Sequence, residues 1–245
     1  MSPKISIITV NYNKGKYIED TILSVLSQNY ENKEYILIDG ASTDNSLEII
    51  EKYKQKIDYF ISEPDSGMTD ALIKGFAHAT GEILCWLNSD DMFSDNTLQE
   101  VAKIFSKNDV DILFGNGYFV NSNNDIIKPF RVSKLTNEAV VSGVTSFMQP
   151  SIFWSSNIFN KVGGIDRSFN IVMDLDLFTR ILYSPEVKVH FSSFYFSRFR
   201  IHSEQSSSWA TKDAYRYEIK RIRERYRVNK FKKIYLKIRN KILKM

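Results

Sequence analysis

The chain has 245 residues, of which 43% are hydrophobic and 25% charged, and this ordinary globular composition excludes a collagen-like, coiled-coil or wholly disordered chain. Its net charge of +4 conceals an asymmetry, because residues 212–245 hold 14 Lys and Arg against 3 Asp and Glu, which leaves 19 basic and 26 acidic residues in the rest. The body is therefore mildly acidic and the tail strongly basic, and we expect the two parts to have different roles.

The first half of the chain alternates short β-branched segments with segments of helical periodicity. The predicted strands are Ile5–Val10, Tyr35–Ile38, Tyr59–Ile61 and Ile83–Leu87. The predicted helices lie between them, at Tyr17–Leu26, Leu47–Tyr53 and Asp70–Ala79. This alternation predicts an α/β fold with a Rossmann-like, mainly parallel central sheet and helices on both faces.

Polar side chains follow each of the four predicted strands. They are Asn11 and Asn13, Asp39 and Asp44, Glu63 and Asp65, and Asp90 and Asp91. Ligands of such sheets bind beyond the carboxyl ends of the strands, so these side chains are expected to gather at one edge.

The second half is less regular. Asp111–Gly115 and Tyr118–Val120 read as two strands around a glycine-containing turn, and residues 121–150 as a loop region that could fold over a ligand. A helix is expected over Asp174–Leu182 and a strand over Val187–Phe191. Ser203–Ser208 reads as a polar linker.

The segment Asn88–Asp91 ends a buried strand with oxygen-bearing side chains, which suit Mg²⁺ or Mn²⁺. The alternative is a loop whose aspartates cap the next helix, and spacing alone leaves both open.

Several motifs then occur in a fixed order: DGASTD at 39–44, SEPDSGMTDA at 62–71, ATGE at 79–82, LNSDD at 87–91, and a later set at 149–154, 163–166 and 174–176. Together they resemble a family 2 glycosyltransferase with the GT-A fold, over about residues 4–205. The resemblance implies a nucleotide-sugar-binding half at 1–100 and an acceptor-binding half of the same domain at 101–205. Composition and periodicity add a linker with a basic amphipathic helical tail at 206–245.

The resemblance also implies a role for individual donor-binding residues. Thr9 and Tyr12 would lie against the base and ribose, Asp39 would read a polar edge of the base, and Asp65 would sit near the ribose or base. Asp90 would bind the metal that bridges the diphosphate.

Three further residues are candidates by the same resemblance. Asp91 would help to hold metal or sugar, and His202 would reach the metal or diphosphate unless it is an ordinary packing histidine. Asp174 matches the general base, against the alternatives that it only stabilises a helix N-terminus or that Asp176 is the base.

The implied activity is that of an inverting, metal-dependent hexosyltransferase using Mn²⁺ or Mg²⁺. It would move a sugar from a nucleotide-sugar donor, with UDP expected because the family commonly uses it, to a glycan or lipid-linked glycan acceptor in polysaccharide biosynthesis. Gly40, Thr69, Ile73 and Asn88 depart from the pattern of relatives, so the donor sugar is not carried over. The alternative is a catalytically silent or non-enzymatic GT-A-like protein that binds membrane or nucleic acid through its tail.

The tail, residues 212–245, reads as a basic amphipathic helix with Tyr215, Ile219, Ile222 and Tyr226 on one stripe. Such helices bind anionic membrane surfaces, whereas the alternative packs the stripe on the body or on a second subunit. No nucleic acid is expected, because the body is acidic.

The longest apolar run in the core region is the five residues Ile83–Leu87, the N-terminal segment lacks the features of a signal peptide, and Cys85 is the single cysteine. We therefore expect a cytoplasmic protein that is peripheral on the inner face of the cell membrane if the tail binds lipid.

Overall fold

The computed structural model describes residues 2–133, 140–141, 147–203 and 212–227. Its strands are β1 (Ile5–Asn11), β2 (Lys33–Asp39), β3 (Tyr59–Ser62), β4 (Ile83–Trp86), β5 (Met92–Phe93), β6 (Ile112–Val120), β7 (Ile126–Phe130), β8 (Ile152–Ser155) and β9 (Val189–Arg200). Its helices are α1 (Ile18–Leu26), α2 (Ser46–Tyr53), α3 (Met68–His78), α4 (Thr97–Lys107), α5 (Ser156–Lys161), α6 (Met173–Leu182) and α7 (Lys212–Arg225). Within these residues, no helix is long and apolar enough to cross a membrane.

One sheet runs through the molecule in the order β3-β2-β1-β4-β8-β6-β9-β5, with β7 beside β6. The first four of these strands are parallel neighbours, as the alternating pattern predicts. The parallel order ends at β8, which pairs antiparallel with both β4 and β6. The run of four parallel neighbours is thus formed by the first part of the chain.

The period-two alternation of the strands directs side chains to two separate apolar layers. On one face α1, α2 and α4 cover a layer that includes Ile5, Ile7, Tyr35, Leu37, Ile83 and Cys85. On the other face α3, α5, α6 and α7 cover a layer that includes Ile8, Val10, Ile36, Ile38, Leu84 and Trp86. Helices therefore lie on both faces, and Cys85 is buried in the core.

The two strands expected at Asp111–Gly115 and Tyr118–Val120 are one continuous strand, β6, and the prediction of a turn between them is wrong. The glycines serve close packing instead. A Cβ atom at Gly115 would lie 2.0 Å from the Phe196 ring, and one at Gly117 would lie 2.2 Å from Met148 Sδ. Glycine in this strand marks the approach of β9 and of the segment before β8.

The strand expected at Val187–Phe191 is much longer than the pattern indicates, because β9 runs for 12 residues to Arg200. It pairs parallel with β6 and antiparallel with β5, at Met92 and Phe93. This pairing brings the end of β9 back to the loop that follows β4. The predicted linker Ser203–Ser208 lies, apart from Ser203, outside the described residues.

The first part of the basic tail packs on the body. Ile219 and Ile222 of α7 are buried in the layer that contains α6, and the Tyr226 ring lies 4.2 Å from the Tyr183 ring. Tyr215 stays 49% exposed. For residues 212–227 the structure therefore agrees with the alternative in which the apolar stripe of the tail packs on the body of the protein. Residues 228–245 lie outside the described residues, and membrane contact by them stays a prediction.

The close approach at β6 predicts the effect of adding one methyl group. Gly115→Ala should lower the free energy of unfolding by about 1–3 kcal/mol, because the new Cβ overlaps the Phe196 ring. Urea denaturation measures the change, with Ser193→Ala on the exposed part of β9 as the control. Equal midpoints for the two variants would show that β6 and β9 are not packed this closely.

Candidate active site

A cavity of about 790 Å³ opens beyond the carboxyl ends of β1, β2, β3 and β4. Its walls come from the turn after β1, the loops after β2 and β3, the start of α3 and the loop after β4. The lining includes Asn11, Tyr12, Asn13, Lys14, Gly40, Ala41, Pro64, Asp65, Met68, Asn88, Ser89 and Asp90. The structure therefore brings together at one edge the polar segments that the strand pattern predicts there.

Asp39 is fully buried behind the cavity wall. Its carboxylate accepts hydrogen bonds from Asn11 Nδ2 (2.7 Å), from the Ser42 N–H and hydroxyl (2.9 and 2.6 Å) and from the Ser62 hydroxyl (2.7 Å). These bonds tie the ends of β1, β2 and β3 to one another. Asp39 thus fixes the floor of the cavity in this structure, and base reading by Asp39 stays a prediction.

Thr9 and Tyr12, the two residues expected beside a base and ribose, have different settings. Thr9 is fully buried, and its hydroxyl accepts a bond from Tyr35 OH at 3.3 Å. Tyr12 lines the cavity and is 61% exposed, so its ring is available to a planar ligand. The structure brings Tyr12 to the cavity and leaves Thr9 behind it.

Asp65 lies directly over Gly40 at the cavity wall. A Cβ atom at residue 40 would be 2.6 Å from Asp65 Oδ2, so the glycine is what makes room for this carboxylate. Asp65 also accepts a bond from the Gly67 N–H at 2.8 Å, which leaves its second oxygen toward Gly40. Glycine at position 40, which departs from the pattern of relatives, is therefore what allows the Asp65 carboxylate to take its place at the cavity wall.

Asp90 lines the cavity and contacts His202, although 112 residues separate the two in the chain. His202 Nε2 lies 3.0 Å from Asp90 Oδ2, and Lys14 Nζ lies 3.9 Å from the same oxygen. The His202 ring packs on Tyr17 with 4.5 Å between centroids. Asp90 and Lys14 thus lie side by side in the cavity lining, and the His202 imidazole, 2% exposed, lies behind the Asp90 carboxylate.

Asp91 is turned away from the cavity and is 1% exposed. Its Oδ1 accepts the Arg200 N–H at 2.9 Å, and its own N–H donates to the Asn88 carbonyl at 3.0 Å. Burial, followed by the neighbouring Asp90 charge, raises the pKa of Asp91 well above its ordinary value. Of the three metal candidates the structure brings Asp90 to the cavity wall, whereas Asp91 and His202 are not among the lining residues.

The donor set at Asp90 fits a divalent cation for which water and substrate supply most of the ligands. Asp90 and His202 present an oxygen and a nitrogen 3.0 Å apart, which is about the separation of adjacent ligands around an ion with ~2.1 Å bonds. Asn88 Oδ1, buried at the same wall, has no hydrogen-bond partner among the described residues. Within the described residues, no group of three or more His, Cys, Asp or Glu side chains could hold a metal ion, so an ion here would need water or substrate for its other ligands.

Asp174 lies in the first turn of α6, a position that agrees with either the candidate base or a carboxylate that only stabilises the helix N-terminus. Its Oδ1 accepts the Leu175 N–H at 2.7 Å, and burial raises the pKa of its carboxyl to about 6. Asp176, the alternative base, is 0% exposed and pairs with Arg180 and Arg225, each at 2.8 Å. The two arginines pair with Asp176, whereas Asp174 has no ion pair in the part of the chain that the structure describes.

Sequence reasoning does not assign two residues of this region to the site. Lys14 follows the first strand in the predicted turn, where a basic side chain at a ligand-binding edge is a hint only. Arg200 reads as one of two alternating arginines of an edge strand, yet it is fully buried and bonds the Asp90 carbonyl at 2.9 Å. Its position depends on pairing between β9 and β5, which no local pattern reveals.

Comparison with known proteins gives consistent results. The family model described as Glycosyl transferase family 2 matches residues 6–163. An uncharacterized glycosyltransferase of Mycobacterium tuberculosis is 33% identical over 186 residues, which are 73% of this chain and 69% of that protein. One from Rickettsia typhi is 29% identical over 231 residues, or 89% of this chain and 70% of that protein.

Solved structures share the fold. S. aureus TarS 1–349 in complex with UDP has a TM-score of 0.69 at 20% identity, covering 89% of this chain and 64% of that one. The mannosyltransferase PcManGT from Pyrobaculum calidifontis, in complex with GDP-Man and Mn²⁺, has a TM-score of 0.64 at 16% identity, covering 85% and 60%. This chain spans less than two thirds of either solved chain, and the likeness confirms the GT-A fold class.

The raised pKa of Asp174 predicts how one amide substitution changes stability with pH. Above pH 6 the folded chain holds a buried charge that Asn would remove, so Asp174→Asn should raise the free energy of unfolding at pH 8 by about 1–3 kcal/mol. The gain should shrink as the pH falls from 6 to 4, because the folded wild type then keeps its proton.

Thermal unfolding of both proteins across pH 4–8 measures this difference. A variant less stable than wild type at pH 8, or a difference independent of pH, would contradict the burial of this carboxyl.

Proposed function

Because this chain belongs to glycosyl transferase family 2, we propose that it is an inverting, metal-dependent enzyme that transfers a hexose from a nucleoside diphosphate sugar, with UDP as the nucleotide. The observation that carries the proposal is the contact of His202 with Asp90, which lines a cavity at the carboxyl edge of the parallel strands. Such an edge is where α/β sheets bind nucleotides. The S. aureus structures in complex with UDP and UDP-GlcNAc support a uridine nucleotide.

The donor would lie along the cavity from Tyr12 to Asp90. The exposed Tyr12 ring would stack on the base, and Asp65, in the space that Gly40 leaves, would accept a hydrogen bond from the ribose or base. Lys14, 3.9 Å from Asp90, would face the diphosphate and balance part of its charge. Asp39 would hold these loops in place through its four hydrogen bonds.

Asp90 and His202 would hold Mn²⁺ or Mg²⁺. The ion, when bound, would act as a Lewis acid that stabilises the charge on the departing diphosphate. The Mn²⁺ in the Pyrobaculum mannosyltransferase complex supports a divalent ion of this kind.

Asp174 would remove the proton from the acceptor hydroxyl as that oxygen attacks the anomeric carbon. Attack from the face opposite the diphosphate inverts the anomeric configuration and needs no covalent sugar–enzyme intermediate. A carboxyl with a pKa of about 6 is ionised at neutral pH and is still a stronger base than an ordinary aspartate. Asp176 would serve the fold through its two arginine partners.

The acceptor would be a glycan or lipid-linked glycan bound by the 101–205 half, in the synthesis of a polysaccharide. The basic residues of 228–245 would then keep the enzyme at an anionic membrane where such a lipid resides. The rival, a silent GT-A-like protein, would bind lipid or nucleic acid through the tail without binding a nucleotide in the cavity.

The first prediction from this proposal concerns nucleotide binding. UDP should bind wild type in the presence of Mn²⁺ and lose roughly 10- to 100-fold in affinity in Asp90→Ala, because one of the two ligands of the ion is removed. Isothermal titration with and without a chelator measures the affinity. Asp109→Ala, at an exposed residue paired with Lys188, is the control and should bind as wild type does. A UDP affinity that changes neither with the chelator nor in Asp90→Ala would contradict the metal-binding role of Asp90.

The second prediction concerns the base. Asp174→Asn should bind UDP normally but lower the rate of UDP release from UDP-GlcNAc, the donor seen with the S. aureus protein, by about 10²–10⁴-fold. Wild-type activity should fall as the pH drops through about 6, where the base gains a proton. If Asp174→Asn were fully active and its activity fell with decreasing pH as that of the wild type does, another residue would have to be the base.

A further inference from the structure

The loop between Asp166 and Val172, which leads into α6 and Asp174, is held between two other elements. On one side, Thr69 of α3 donates its hydroxyl to the Phe169 carbonyl at 2.7 Å, and Arg167 pairs with Asp70 at 3.1 Å. The same first turn of α3 lines the donor cavity with Met68. The loop is thus the physical link between the donor cavity and the candidate base.

On its other side the loop is held by the tail helix α7. Glu218 accepts three backbone N–H groups in succession, from Asn170 (2.9 Å), Ile171 (3.0 Å) and Val172 (3.0 Å). The glutamate is 7% exposed, so these bonds are shielded from water. Three consecutive N–H groups are rarely satisfied by one side chain from a helix more than 40 residues away.

The sequence of α6 explains why this glutamate is needed. Helices usually begin at Ser, Thr, Asp or Asn, whose side chain bonds the free N–H groups of the first turn. Here the capping residue is Val172, which makes no side-chain cap. A carboxylate placed at this end also interacts favourably with the helix dipole. Glu218 does not replace that cap, because it bonds the N–H groups of the three residues before the helix; it anchors from the tail the point at which α6 begins.

Two arginines extend the same contact. Arg221 donates to the Ser168 carbonyl and hydroxyl at 2.8 and 2.7 Å, and its guanidinium lies 4.2 Å from the Phe169 ring. Arg225 joins α7 to Asp166 at 3.5 Å and to Asp176 at 2.8 Å. Part of the basic charge of the tail is thus used on the loop before Asp174.

We propose that α7 belongs to the catalytic apparatus, with Glu218 as a positioning residue that fixes the start of α6 and thereby the Asp174 carboxylate. The proposal rests on the proposed function for the role of Asp174, but the contacts do not depend on it. The charged groups on the packed elements are engaged with one another: Asp176 and Asp166 with Arg225, and Arg180 with Asp176. Burial, which raises the pKa of Asp174, and two backbone hydrogen bonds, which lower it, therefore set that pKa.

The test compares the full-length wild type with Glu218→Gln, which removes the charge and one acceptor oxygen at nearly constant shape. Hydrogen exchange should show the amides of residues 170–172 opening about tenfold faster or more. NMR titration of ¹³C-labelled aspartate, with the Asp174 signal identified by its loss in Asp174→Asn, should show the pKa falling below about 6 as water reaches the carboxyl. UDP release from UDP-GlcNAc should slow by about 10- to 100-fold, with UDP affinity unchanged.

Two further variants keep the test decisive. Glu224→Gln, on the exposed side of α7 and paired with Lys220, is the matched control and should leave every readout at the wild-type value. Arg221→Gln weakens the contact between α7 and the loop before α6 at its exposed side. It should change amide exchange, the Asp174 titration and UDP release in the same direction as Glu218→Gln but by less, so it tests the positioning role if Glu218→Gln does not fold.

An unchanged Asp174 titration with unchanged UDP release in Glu218→Gln would overturn the positioning role. A wild type that releases no UDP from any donor would instead overturn the proposed function, while the exchange and titration results would still test the contact.

Discussion

A single buried guanidinium joins the end of the last strand to the loop that carries the candidate metal ligand. Arg200 is fully buried and stacks on the Tyr17 ring at 4.7 Å. The guanidinium donates to the Asp90 and Ser122 carbonyls and to the Asp20 carboxylate, and the backbone N–H of Arg200 donates to the Asp91 carboxylate. Because a buried cation has to be surrounded by acceptors, these elements can only fold together. The contact between Asp90 and His202 follows, since His202 lies two residues beyond Arg200.

The same principle, a polar side chain that holds loops from distant parts of the chain, recurs at the two other corners of the site. Asp39 collects four donors and holds the ends of three parallel strands under the cavity. Glu218 collects three backbone N–H groups and holds the start of α6. The surfaces that would meet the substrate are thus loops, and buried charged groups behind them give those loops a fixed shape.

Much of this architecture is predictable from sequence, and the part that is not has a common cause. The strands and helices up to β4 follow from local periodicity, and the gathering of Asn11, Asp65 and Asp90 at one edge follows from parallel strand geometry. The prediction of a turn within β6 is wrong because Gly115 makes room for the ring of Phe196, a residue far along the chain, and does not form a turn. The settings of Asp91 and Asp39, and the anchoring by Glu218, likewise depend on partners that no local pattern identifies.

The central claim is that Asp90 and His202 together hold a divalent ion against a nucleoside diphosphate. Pulsed electron paramagnetic resonance of Mn²⁺ with the full-length protein and UDP tests it directly, because nuclei bound at the ion couple to its electron spin. We predict phosphorus coupling from UDP together with nitrogen coupling from one imidazole, the latter lost in His202→Ala. A spectrum with phosphorus coupling but no imidazole nitrogen, or one of hydrated Mn²⁺ alone, would contradict the claim.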